Sequence, residues 1–129
     1  MRLVNARTGA TVASVVEVAA TRVDRRRGLL GRGALDVSAA LILAPCAAVH
    51  TVFMRFPIDV VFVDRNGQVR TIVRNLQPWR IAASPSAYAA VEMAGGVERD
   101  LVPGDHLYLT SIRGDAETVR LPGMTTKGS

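Results

Sequence analysis

The 129 residues predict an all-β or β-rich α+β domain, a small closed or nearly closed β-barrel with one or two short helices. Three observations predict it. Apolar runs of about four to eight residues recur between Gly, Pro, Asn and Asp turns, the length and punctuation of strands. The densest run, residues 58–63, is apolar on both sides of the alternation, as in a strand covered on both faces. Strands this short and numerous leave many edges, and closure is the usual way to hide them. One domain is expected over residues 1–113, followed by a polar, partly disordered tail over 114–129.

Residues 3–5, the turn Ala6-Arg7-Thr8-Gly9 and residues 11–19 read as an opening hairpin. Val12, Ser14, Val16 and Val18 share the side expected to face the core. Thr21 or Asp24 can cap a short helix to about Leu30, which Gly28 and Gly31 keep short. Residues 39–44 form a buried strand stopped by Pro45, and residues 50–54 the next one. Pro57 cannot donate to a central ladder and marks a bend or an edge. After the strand at 58–63, Asp64-Arg65-Asn66-Gly67 is a hairpin turn, and residues 69–76 return with Gln68, Arg70 and Arg74 outside. Residues 77–86 are irregular, and their Trp79 is expected to plug the core. A strand at 88–93, one helical turn at 97–101 and a last strand at 106–112 complete the domain.

Composition narrows the classes. A hydrophobic fraction of 49% belongs to a packed globular protein. Cys46 is the sole cysteine, so no intrachain disulfide forms. The first seven residues lack the apolar core of a signal peptide and no run is long enough to span a bilayer, so a cytoplasmic location without a membrane partner is expected. The net charge of +5 comes from fifteen Arg and one Lys against eleven acids, which raises nucleic acid as a partner. Apart from Arg22, Arg25, Arg26, Arg27 and Arg32 the arginines are scattered, and aromatics are only 5%, which argues against it.

The chemistry-bearing side chains converge on residues 46–59. Asp59 interrupts an apolar strand, and a buried carboxylate needs a designated donor. His50, Thr51 and Arg55 are the nearby candidates. Glu92, inside another apolar strand, is a second carboxylate out of pattern. His50, Asp59 and Glu92 in one cavity would suit proton transfer or hydrolysis. Cys46, His50 and Met54, spaced by four, are soft ligands suited to a thiophilic ion, although they also serve as core and hydrogen-bonded residues. Phosphate loops, nucleophile elbows and dinucleotide motifs are absent from the sequence, and no cofactor is expected.

The run His50-Thr51-x-x-Met54-x-Phe56-Pro57-Ile58-Asp59-Val60-x-Phe62-x-Asp64 carries a resemblance. With Arg27 to Arg32, Pro45-Cys46, Val91 to Gly96 and Gly104-Asp105, it resembles the bacterial and archaeal family named domain of unknown function 192, over residues 15–110. The resemblance implies no established activity. Family relatives are often exported or membrane-anchored, and the N-terminus departs from that pattern. By analogy, the Gly-Asp turn before the last strand is reminiscent of cradle-loop barrels of the double-psi type.

These readings combine into one expectation. The protein is a non-catalytic module for a small polar or anionic ligand or a partner, with His50, Asp59 and Glu92 at the centre. Cys46, Met54, Trp79 and Arg80 surround them. The alternatives are a hydrolase-like enzyme using the same His50, Asp59 and Glu92, and a basic nucleic-acid-binding surface.

Overall fold

The structure, a computed structural model, describes residues 1–21, 28–29 and 31–110 and the backbone of 118–119. In chain order the strands are β1 (Arg2–Asn5), β2 (Thr11–Ala13), β3 (Val15–Ala19), β4 (Ala39–Leu43), β5 (Ala48–His50), β6 (Ile58–Val63), β7 (Val69–Leu76), β8 (Ile81–Ala83), β9 (Ala89–Ala94), β10 (Leu107–Thr110) and β11 (Thr118–Val119). Among the described residues there is no helix, and none of the three sheets closes into a barrel.

The central sheet runs β3-β4-β9-β6-β7, with β3 parallel to β4 and every other pair antiparallel. All six residues of β6 and all six of β9 are buried, as two-sided apolar runs require. Strand alternation sends Val61, Val63, Val91 and Met93 into one core and Val60, Phe62 and Ala90 into another. The first core is closed by the sheet β11-β10-β1-β2, through Leu3, Leu107 and Leu109. The second is covered by the two-stranded sheet β5-β8, through Val49 and Ala82. Fully burying a side chain such as Phe62 contributes roughly 1.5–3 kcal/mol, so the double coverage stabilises the middle strands most.

The expected barrel is therefore corrected to stacked open sheets. The central sheet ends on β3 and β7, whose exposed Glu17, Arg70 and Arg74 put charge on the edge strands in place of closure. The opening strand is also two strands. Ser14 and Val15 donate to Ser38 O, and the chain leaves β1's sheet for β4's. That switch turns Val18 outward, against expectation, and buries Ala13 and Ala19. The helical turn expected at 97–101 is irregular instead, with Leu101 N donating to Arg99 O. The helix expected at 21–30 and most of the C-terminal tail lie outside the described residues. Within that tail, Thr118–Val119 pairs with β10, so this part is a strand.

Two polar devices hold the ends. Asp64 Oδ1 accepts from Asn66 N and Gln68 N, and Gly67 takes φ +84 where a Cβ would collide with Leu107 O, so glycine is required there. Buried Asp105 accepts from Arg7, from Asn5 Nδ2 at 2.8 Å and from Val102 N at 3.0 Å. The Arg7 hydrogen bond holds the Asp105 carboxyl at about 2, and the same contact raises the Arg7 guanidinium above its ordinary value.

Candidate functional site

Asp59 does answer to a specific companion, but not to His50. It is the second residue of β6, opposite Met93, on the face of the first core. Asp59 Oδ2 accepts from Arg99 Nη1 at 2.5 Å, and Oδ1 accepts from Asn75 N at 2.7 Å. Both side chains of the ion pair are more than nine-tenths buried. Asn75 sits in the left-handed region at φ 53, which asparagine tolerates, and this aims its N–H at the carboxylate. Burial lowers the Arg99 pKa first of all; Asp59 pulls it back up and the neighbouring Arg74 guanidinium opposes that. Arg74 Nη2 donates to Leu101 O at 2.7 Å. Arg99 Nη2 is buried with no hydrogen-bond partner. Above the pair opens a groove of about 430 Å³ lined by Asp59, Arg74, Asn75, Gly96, Val97, Glu98 and Arg99.

Glu92 lies on the opposite face. It pairs with Leu41 and Val60, both in the second core, while Asp59 belongs to the first. Its carboxyl makes no hydrogen bond among the described residues. Burial pushes it up to about 7, with Arg32 the opposing charge. Arg32 itself is bonded to Glu17 at 2.7 Å. The expected constellation of His50, Asp59 and Glu92 is thus divided by the sheet, because residues 59 and 92 differ by one step of alternation across the β6–β9 register. With it goes the paired-carboxylate geometry that the hydrolase reading requires.

His50 ends β5 and is exposed, opposite Ile81 of β8. Residues 51–54 do not continue the strand as expected, because Thr51 is recruited as a brace. Its Oγ1 donates to Gln77 O at 2.6 Å and accepts from Arg80 N at 2.8 Å. Its carbonyl accepts from Trp79 N at 2.9 Å and Met54 N at 3.0 Å. Met54 is buried in the second core, Cys46 is half-buried and donates to Ala48 O, and His50 faces outward, so the soft-ligand set disperses. Trp79 does not plug the core. It is 57% exposed and meets the 71% exposed Phe53 edge-on at 4.7 Å. Both residues hold φ 67, a costly conformation for bulky side chains. Arg80 is exposed between Trp79 and the 76% exposed Ile81.

Sequence reasoning missed Arg99, Asn75, Phe53 and Ile81. The need for a donor to Asp59 was legible; its source, 40 residues away, was not. For Phe53 and Ile81 the available signal was an absence of acids around large apolar residues, one in a loop and one opening β8.

A sheet stack of this kind with a buried ion pair under an open groove defines a compact β scaffold. The chain belongs to the family domain of unknown function 192, described as "Uncharacterized ACR", whose profile matches residues 3–109. Among solved structures it is similar to a Sinorhizobium meliloti 1021 protein described as a candidate transcription regulator: 27% identity, TM-score 0.71, covering 82% of this chain and 88% of that one. It shares its fold with a protein of unknown function from Novosphingobium aromaticivorans DSM 12444, at 23% identity and TM-score 0.67, covering 83% of each chain. The comparison with curated proteins finds no match. No helix among the described residues is long and apolar enough to cross a membrane.

Proposed function

We propose that the protein is a non-catalytic binding module whose ligand is a small polar molecule bearing an anionic group, held in the groove over Asp59 and Arg99. The supporting observation is the buried Asp59–Arg99 pair, set at the groove floor beside a second guanidinium, Arg74. Arg74 has further N–H donors beyond its bond to Leu101 O, and planar forks of this type match carboxylate or phosphate oxygens. Glu98, exposed on the same rim, offers an acceptor to a donor group elsewhere on the ligand. Of the seven residues expected at the site, Asp59 remains in this reading; His50, Glu92, Met54, Trp79, Arg80 and Cys46 lie elsewhere.

The test is backbone NMR during titration with inorganic phosphate, succinate and glutamate. At least one should shift the amides of Asn75 and residues 96–99 saturably, with the shifts lost in Arg74→Gln while the fold is retained. No saturable shift with any of the three, or shifts indifferent to Arg74→Gln, would overturn the proposal.

A further inference from the structure

A second surface, sharing no residue with the groove's lining, is made where residues 51–54 leave β5 and residues 77–80 enter β8 at the same end of the two-stranded sheet. Phe53, Trp79 and Ile81 are all more than half exposed there, and the two rings are in contact. Single exposed apolar residues are ordinary, but two rings in contact on a braced backbone, with exposed Ile81 two residues along the chain from Trp79, mark a contact surface. His50, Arg55 and Arg80 are exposed around them. The segments that supply the surface contain no acid: none occurs in residues 50–55 or 77–81, which hold Arg55 and Arg80.

We infer that this surface docks on an anionic lipid bilayer, with Phe53, Trp79 and Ile81 entering the headgroup–acyl boundary and Arg80 and Arg55 meeting the lipid phosphates. Aromatic and aliphatic side chains next to arginines suit that boundary, which is wet and negative on one side and apolar on the other. Complementarity of charge selects the anionic surface. The apolar residues select lipid over nucleic acid, because Ile81 gains nothing from a phosphate backbone and two rings make a short platform for stacked bases. Surface docking needs no spanning helix.

Trp79 is the sole tryptophan, so its emission reports on this surface alone. The full chain is mixed with vesicles of phosphatidylcholine, or of phosphatidylcholine and phosphatidylserine in equal parts, and followed by co-sedimentation and fluorescence. Binding with a blue shift of Trp79 is expected for the anionic vesicles, with little for the neutral ones. Arg80→Glu should weaken binding about tenfold. Phe53→Ser with Ile81→Ser should weaken it by about tenfold or more and remove the blue shift, with the circular dichroism spectrum unchanged. Arg74→Gln, which empties the groove proposal, should leave the blue shift intact, so the two proposals fail separately. Absence of binding to anionic vesicles, binding without a Trp79 shift, or quenching of Trp79 by single-stranded DNA in preference to vesicles would overturn the inference.

Discussion

Asp59 and Glu92 are carboxylates on neighbouring strands, both almost fully buried, and the protein treats them in opposite ways. Asp59 is ionically paired and has both oxygens occupied. Glu92 sits between Leu41 and Val60, has no hydrogen bond among the described residues, and is pushed up by burial to about 7 against the opposing charge of Arg32. The difference teaches that burial does not determine a carboxylate's state. What decides is whether the fold delivers a donor, and among the described residues the first face receives one, from the irregular segment after β9.

Breaking the pair is the largest available perturbation. Arg99→Leu leaves Asp59 charged and uncompensated, so urea unfolding should show a loss of roughly 3–5 kcal/mol. Adding Asp59→Asn should recover part of that, since residues in contact do not act additively.

Glu92→Gln sharpens the contrast from the other side, and its sign follows from linkage. The folded state holds the proton up to about 7, against an ordinary value of 4.5 for the free side chain. Wild-type stability is therefore undiminished below the unfolded pKa, falls as pH rises through the window between the two values, and stays reduced above it. The glutamine variant should gain up to about 3 kcal/mol at pH 8, with the gain vanishing near pH 4, in unfolding curves across that range.

Thr51→Val extends the comparison to a neutral buried polar group. It removes the Oγ1 bonds and strands Arg80 N, so a loss of about 2 kcal/mol is expected in thermal unfolding, with faster amide exchange at Trp79 and Arg80. Phe53→Asn should move stability least, by less than about 1 kcal/mol. Relief of the left-handed backbone offsets loss of the edge contact with Trp79. A large loss on chemical denaturation would show that Phe53 is a packing residue after all.

Much of the fold was legible along the chain. The two-sided strand at 58–63, the Asp64–Gly67 turn, the return strand and the buried strands at 39–44 and 88–93 all declared themselves through apolar pattern and turn residues. Less visible were events that depend on a partner. Ser14 ends one strand and begins another only because Ser38 waits in the neighbouring sheet. Residues 97–101 form no helical turn, and Arg99 reaches across to Asp59. At the site, Asp59 was legible as a carboxylate needing a companion, whereas Trp79 was misplaced because its loop is braced from outside by Thr51.

The sequence by itself determined which residues alternate, where the chain turns and which polar groups would be out of place, because those follow from local spacing and chirality. Tertiary structure alone decided that Asp59 and Glu92 face apart, that Arg99 rather than His50 completes the pair, and that Phe53 meets Trp79 in the open. Each of these depends on strand register and on contacts between distant segments, and a one-residue change in register would have exchanged the faces without altering a single local preference.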